Sequence, residues 1–545
     1  MDSIKLKAYW CERTLLHLEF EDSFGFQDGD IVRLTRRRGS DPETGLDIFE
    51  GFEMTGVYVF SPQHIVLRPM VGNEGNPVRS SNYRIIIKRG EEEAPILATH
   101  EVVNPAPPTF KRDDIVLSKY TSSFYLASPE VRDDELWLHV QAKGTPQKFY
   151  YRAGRQIRNA WVSLRKSIAN NGAVAVYYVF RTFTRVNPNK ITFVSDSRTK
   201  VSGNMEPLYK RMEERGLMQK LKVRTSFIQE NAKGHRSLPR KIQLAYQMAT
   251  CKVIFCDDYQ PYLYHVKLRP GQHLVQLWHA CGHFKTVGFG RIGMLDSTAP
   301  FSNNHRTYTD VVVAGEGDVL YYAEAFGILD DKIHPLGIPR HDWLLDAGWQ
   351  DERRRNFKEL FPTAEGKKVI VFAPTFRGSG KNSAHYEFDR WDFDALAQFC
   401  RENGYYFIFK LHPFIKTTVE LPQDSQDVFA DGSAIREIND ILPSTDILIT
   451  DYSSVVYEAS LLDIPTLYFA YDLEDYISTR DFYEPFEGFV SGPIVRTFDD
   501  LLRHIKDEDF DLARLSEFKR KNFKYHDGGS CDRIIDRIVL PAVGE

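Results

Sequence analysis

The sequence predicts an α/β protein of two tandem lobes around a central cleft, preceded by a β-rich accessory region. Three observations carry this. At 545 residues the chain exceeds what one hydrophobic core supports, and about 150 residues per domain implies three or four units. Downstream of Pro188, near-continuous apolar strands alternate with helical segments, the pattern of parallel sheets covered on both faces. That series runs twice, whereas upstream the strands alternate apolar with polar residues, the period of a half-buried sheet.

Residues 1–148 form the accessory region, with strands in LLHLEF, DIVRL, GVYVF, HIVLRP, YRIIIK, FYLAS and LWLHVQA. Asn73-Glu-Gly-Asn-Pro and Asn104-Pro-Ala-Pro-Pro punctuate them as turns, which fits one or two small β modules. Residues 149–350 open on basic amphipathic helices: Arg152, Arg155, Arg158, Arg165 and Lys166 interleave with Ile157, Trp161, Leu164 and Ile168, and a second segment from Ala173 carries Tyr177, Tyr178, Phe180, Arg181, Phe183 and Arg185. Such a run is commonly a solvated face; the alternative is a platform for anionic lipid or a polyanionic acceptor. The first α/β series follows as KITFVSDS, a helix through Met205 to Leu221, KVRTSFI, a helix from Pro239 to Ala249, CKVIFCD, HLVQLWHA and DVVVAG. Ile333 to Phe361 reads as the linker. Residues 351–545 repeat the architecture as KKVIVFAPTF, a helix through Phe393 to Asn403, YYFIFKLHP, DILITDYSS, a helix from Val455 and TLYFAY. Ligands of such folds bind beyond the carboxyl ends of the strands, so the chemistry is expected there.

Composition excludes several classes. Apolar residues at 42% and charged residues at 27% describe a globular chain, not a disordered one. A net charge of −5 offers no footprint for nucleic acid. Cys11, Cys251, Cys256, Cys281, Cys400 and Cys531 lack any repeating short spacing, as expected of reduced thiols in the cytoplasm rather than of disulfides or a zinc site. No secretory signal is visible in MDSIKLKAYW. The longest apolar run, Ala173 to Phe180, is far short of the ~20 residues of a membrane span, so membrane contact is expected to be peripheral.

Candidate site residues gather at strand ends. His279 follows HLVQLW and precedes Ala280-Cys281-Gly282, where glycine permits a tight turn; a neutral-pH base suits that place, and so does a histidine that merely caps the strand. In Lys410-Leu411-His412-Pro413, side chains two apart on a strand share a face, which gathers Lys410 and His412. VIVFAP runs into Thr375 and Arg377, a hydroxyl and a guanidinium suited to phosphate. After DILIT come Asp451, Ser453 and Ser454 at a helix start, an anion site or plain capping chemistry, with Glu458 further along at a reach suited to ribose hydroxyls.

Two motifs are set aside. Gly288-Phe-Gly290-Arg-Ile-Gly293 matches a dinucleotide fingerprint but lies well past its strand, as a flexible loop. Asp392-Phe-Asp394 lies on a helix, where i and i+2 do not share a face, so no metal site is expected.

Taken together, LWHACGHFKTVG, VFAPTFRG, KLHP, TDYSSVVYEASLLDIPTLYFAYDLEDY with the following Arg480-Asp-Phe-Tyr, and His526-Asp-Gly-Gly-Ser resemble the CDP-glycerol glycerophosphotransferases, the teichoic-acid primases and polymerases. The resemblance spans about Lys190 to Ile535 and leaves out the accessory region. It implies a GT-B fold of two Rossmann-like lobes, the first lobe on the acceptor side and the second holding a CDP-linked donor. It implies His279 as the base toward an acceptor hydroxyl and His412 as stabiliser of the diphosphate as CMP leaves. Ser453 and Ser454 would bind phosphate, Glu458 ribose, and Arg377 with Lys410 would balance charge; Thr375 and Asp451 complete the donor side, and Gly282 and Lys285 face the acceptor. Many members have glycine directly after the motif histidine, whereas Ala280-Cys281 intervene here, which changes the acceptor pocket. The expected reaction transfers a polyol phosphate, with CDP-glycerol the first donor and CDP-ribitol the alternative, to a lipid-linked or polymeric teichoic-acid-like or capsular acceptor at the inner face of the membrane, without cofactor or metal. The rivals are a nucleotide-sugar glycosyltransferase of the same architecture and a non-catalytic polymer-binding scaffold.

Overall fold

The computed structural model describes residues 4–40, 47–98, 111–112, 115–120, 123–143, 174–228, 236–291, 298–378, 383–415, 419–480 and 482–544. Its apolar strands, buried on both faces, pair in parallel and build two six-stranded sheets. The first runs in the order Lys222–Ser226, Asn187–Val194, Cys251–Cys256, His273–Gln276, Asp310–Val312 and Ile333–His334. The second runs Phe429–Asp431, Tyr405–Phe409, Lys368–Phe372, Ile447–Thr450, Thr466–Phe469 and Ile494–Val495. In that sheet the strand order reverses between Lys368–Phe372 and Ile447–Thr450, and a ligand crevice is expected where such a reversal leaves two strand ends diverging.

Helices follow from the sequence with local reasons. Phe393–Asn403 starts at Asp392, whose carboxylate accepts from Ala395 N, and stops at Gly404 in the left-handed conformation. Asp392 is thus the cap of this helix and stands just outside it. The predicted helix from Met205 to Leu221 breaks at Gly216 into Met205–Glu214 and Leu217–Lys220. The stretch expected as linker contributes more: Ile333–His334 is the edge strand of the first sheet, and Pro339–Leu344 and Ala347–Leu360 are helices. The chain then returns. Asp342 accepts from Ser530 N and Cys531 N, and Ile534, Ile535, Ile538 and Val539 pack with Ile191, Phe193 and Phe255 in the core under the first sheet.

The accessory region is a twelve-stranded, mainly antiparallel sheet, with strands where they were read and further ones at Ile4–Glu12, Asp47–Glu53, Glu92–Leu97, Lys111–Arg112 and Ile115–Tyr120. A large apolar cluster underlies it, including Leu18, Leu34, Ile85, Ile87 and Leu138, and Leu15 and Val66 pack separately against Leu320. Of the basic segments, that from Arg152 to Lys166 lies outside the described residues, while 174–183 is helical. No helix among the described residues is long and apolar enough to cross a membrane.

Candidate active site

Between the carboxyl ends of the two sheets lies a cavity of about 380 Å³ lined by His279, Gly282, Lys285, Thr375, His412, Ser453 and Ser454, among others. Each comes from a turn that the sequence places at a strand terminus. The strand His273–Gln276 ends in a strained turn with Trp278 at φ +50°, held by Asn204 Nδ2 donating to Leu277 O and Trp278 O (3.1 and 2.7 Å). Gly282, at φ +67°, completes the turn; a Cβ there would lie 1.9 Å from the ring of Tyr457, so no larger residue fits.

The half-exposed His279 ring has Nδ1 3.4 Å from Asp258 Oδ1. Burial would raise the Asp258 carboxyl, but the hydrogen bond and charge of His279 outweigh this and hold it below the usual range. An Nδ1–H directed at a carboxylate leaves Nε2 free to accept a proton, the base-and-orienter arrangement of general-base catalysis. On the opposite wall, Phe414 N donates to His412 Nδ1 (3.1 Å), so Nε2 carries the hydrogen of the neutral ring. Burial, then the charges of Lys285, Lys410 and Arg480, push the His412 pKa down to about 4. His412 is therefore an N–H donor and not a cation at neutral pH. Thr375 N donates to Asp451 Oδ1 (2.7 Å), while its hydroxyl oxygen is buried without a partner. Ser454 caps Val455–Leu461 without a side-chain bond to the helix, and Ser453 Oγ accepts from Val455 N at 3.3 Å.

Four of the expected residues do not line the cavity. Arg377 is enclosed by Asp451 (2.9 Å) and Asp472 (2.6 and 2.9 Å), with Tyr386, Tyr452 and Tyr476 around its guanidinium. Asp451 is buried and spent on Arg377 and on the amides of Thr375 and Tyr452. Lys410 is buried, and the strand ends at Phe409, so strand alternation does not extend to His412 and the shared face fails. Glu458 is buried between Arg340 and His341; burial alone would raise its carboxyl, yet these neighbours bring it to about 2. Cys281, His341 and Glu458 place a thiol, an imidazole and a carboxylate within 4.8 Å of one another, a donor set a divalent ion can use, although Arg340 already occupies Glu458 Oε1. The Gly288–Gly290 turn is no loose loop: a Cβ on Gly288 would sit 1.9 Å from Ala325 O.

Other residues in or beside the cavity were given no role from sequence. Arg480, with Nη2 on Gly378 O (3.0 Å) and its guanidinium over Phe376, supplies with Lys285 the cations of the lining. His283 bridges Asp318 (2.7 Å) and Glu484 (2.9 Å); burial opposes its charge, but the two carboxylates raise its pKa. Asp258, just after CKVIFC, was open to the same strand-end argument as His279, and Tyr483 lies in the quoted Arg480-Asp-Phe-Tyr segment, whereas Tyr321 and Arg340 carry no local signal. The segment His526-Asp-Gly-Gly-Ser turns the chain onto the first sheet and does not enter the cavity.

Turns at the ends of the two parallel sheets thus bring His279 and His412 to one cavity that Lys285 and Arg480 also line. The profile of the CDP-Glycerol:Poly(glycerophosphate) glycerophosphotransferase family matches residues 176–540, and the chain belongs to this family of teichoic acid polyol-phosphate transferases. It is 40% identical to the teichoic acid ribitol-phosphate polymerase TarL of Staphylococcus aureus (strain NCTC 8325 / PS 47), over 75% of this chain and 74% of that protein. It is 41% identical to the teichoic acid poly(ribitol-phosphate) polymerase of Bacillus spizizenii (strain ATCC 23059 / NRRL B-14472 / W23), over 67% of this chain but only 58% of that protein. A solved structure of the wall teichoic acid polymerase TagF, a histidine-to-asparagine variant soaked with CDPG, shares the fold at a TM-score of 0.58 and 19% identity, over 72% of this chain and 99% of that one.

Proposed function

We propose that this chain transfers ribitol phosphate from CDP-ribitol to a terminal hydroxyl of a teichoic acid polymer, releasing CMP, with the two lobes in a GT-B arrangement. The observation that carries it is one cavity lined by a carboxylate-oriented imidazole, His279, and a neutral N–H donor, His412, beside Lys285 and Arg480. Ribitol is favoured over glycerol by the names of the relatives at 40 and 41% identity.

In the proposed step, the acceptor oxygen attacks the phosphorus distal to cytidine as His279 Nε2 takes its proton, and the bond to the bridging oxygen breaks so that CMP departs. Asp258 stabilises the imidazolium that forms. His412 Nε2–H, Lys285 and Arg480 meet the charge that spreads over the diphosphate oxygens, while the hydroxyls of Thr375, Ser453 and Ser454 fix the donor. Arg377, Asp451 and Glu458 act from behind by holding these turns. Metal-free turnover is part of the proposal and is checked by assay after chelation. The main test offers purified CDP-ribitol and CDP-glycerol with a lipid-linked primer and scores CMP. Release from CDP-ribitol at least about tenfold faster is expected, a difference of about 1.4 kcal/mol in transition-state binding. Equal rates would remove the ribitol assignment, and silence with both would remove the activity.

Lipid contact is proposed on one face of the first lobe. Leu238, Ile242 and Tyr246 make an exposed stripe four residues apart along Leu238–Thr250, and Phe180 joins it to the helix at 174–183, where Phe183 is 84% exposed. Arg181, Arg185, Arg240 and Lys241 accompany them in sequence. Sedimentation with phosphatidylglycerol vesicles is expected, weaker at high salt and with Phe183→Glu; no sedimentation at low salt would exclude this face.

A further inference from the structure

The accessory region reaches the residues that line the cavity through the buried tip of one hairpin. Arg13 stands at the tip of the hairpin joining Ile4–Glu12 to Leu15–Phe20, at φ +55° and 4% exposed. Its Nε donates to Glu324 Oε2 at 3.0 Å, while Thr14 N and Oγ1 both donate to Glu324 Oε1 at 2.8 Å, so the hairpin tip satisfies this buried carboxylate. Arg13 Nη1 reaches across to Tyr483 O at 3.2 Å, and its guanidinium covers the rings of Tyr483 and Tyr321 at 4.8 and 5.5 Å. Glu324 and Tyr321 belong to the helix Asp318–Phe326 of the first lobe, whereas Tyr483 follows Thr466–Phe469 in the second.

Tyr321 and Tyr483 line the cavity. Tyr483 also carries the catalytic loop: its N donates to Phe284 O (3.3 Å), its hydroxyl accepts from Val287 N (3.4 Å), and Phe482 bridges Lys285 through the backbone. Burying a guanidinium is costly unless its donors are met; here Nε and Nη1 are met, Nη2 is buried without a partner among the described residues, and the contacts include the cavity residues Tyr321 and Tyr483. Docking alone does not need this, because Arg68 already ties the accessory sheet to Asp330 (2.7 Å) and Ile328 O (3.3 Å) away from the cavity lining.

We propose that the accessory region braces the transfer site from behind its lining, and that Arg13 is a positioning residue setting Tyr321, Tyr483 and, through them, Phe284–Val287 with Lys285. This rests on the cavity being the transfer site. In the full chain, Arg13→Ala and Arg13→Lys are expected to lower kcat/KM for the acceptor by about tenfold or more, since small misplacements of a positioned group slow transfer and lysine lacks the planar fork. CDP affinity, read by thermal shift, is expected to fall by less than kcat/KM, because Thr375, Ser453 and Ser454 keep their places and of the donor contacts only Lys285 is displaced. Arg68→Ala is the control and is expected to lower Tm while keeping kcat/KM. Arg13 variants that lower Tm alone, with wild-type kcat/KM, would overturn the proposal.

Amide hydrogen exchange supplies a readout independent of activity. Arg13→Ala should speed exchange at 284–287 and 482–484 and leave Lys368–Phe372 unchanged; no change at the first two segments overturns the proposal whatever the turnover. If wild-type protein releases no CMP from either donor, the functional reading falls and the exchange result decides this one. Should Arg13→Ala not fold, Thr14→Ala, which removes one hydroxyl from Glu324, takes its place in both measurements.

Discussion

At the scale of single residues, the site separates two histidines that look alike in sequence. His279 faces Asp258 through Nδ1 and presents a proton acceptor, while His412 receives an amide hydrogen at Nδ1 and presents a donor. His279→Ala is expected to slow CMP release by about 10³-fold, within the usual range for a lost general base, with donor binding retained. Asp258→Asn should fall between it and wild type, because orientation survives but the imidazolium loses its counter-charge. His412→Ala is expected to cost about 10²-fold, as for a lost oxyanion-type donor, and His412→Gln to recover part of it. Single-turnover CMP release checks all four; wild-type rates in His279→Ala would end the base assignment. His279, His412, Thr375, Ser453 and Ser454 were legible because a polar residue just past an apolar strand has to meet water or a ligand. Arg377, Lys410, Asp451 and Glu458 sit at similar chain positions, but their neighbours Asp472, Arg340 and His341 arrive from distant segments, so sequence did not show their charges to be already paired or buried.

At the scale of elements, Arg340 in the helix Pro339–Leu344 connects the motif segments. Its Nη1 donates to His279 O (2.7 Å) and its Nε to Glu458 Oε1 (2.9 Å), joining the base loop to the helix Val455–Leu461. Arg340→Met would leave the Glu458 carboxylate buried without its main counter-charge, and about 3–5 kcal/mol of stability should go with it, measured by denaturant unfolding. Adding Glu458→Gln should recover much of that loss; failure to do so would mean the pair is not the source. The sign with pH follows from a folded Glu458 pKa of about 2, depressed from its unfolded value. Its contribution is present above about pH 4.5 and drains as pH falls toward 2, so Glu458→Gln should flatten the acid limb of the stability curve.

For the whole molecule, His283 is a pH-responsive contact between segments far apart in the chain. It lies between Asp318, just after the first parallel sheet's strand Asp310–Val312, and Glu484, after the second sheet's strand Thr466–Phe469, and Lys521 holds the other oxygen of Glu484 (2.6 Å). A raised histidine pKa contributes stability in full below the unfolded value of about 6.5 and loses it as pH rises through the folded value. Glu484, lowered to about 2, acts oppositely and loses its contribution as pH falls below about 4.5. Thermal melts from pH 6 to 9 should show a falling Tm that His283→Gln flattens; parallel curves for the two proteins would exclude the bridge.

The sequence by itself determined most of the elements and their order. Strands buried on both faces and helices with capped, punctuated ends are local patterns, so the αβ alternation, the β-rich start and the strand-end turns follow from short segments. The motif residues also carried the family resemblance, from Lys190 onward. Only the tertiary structure decided which of those residues share an opening, which are neutralised by distant partners, as Glu458 is by Arg340 118 positions away, and where the accessory sheet sits. The physical reason is that burial and charge pairing are properties of space. Arg13 and Glu324, separated by 311 positions, have no chemistry to announce until the fold removes both from water.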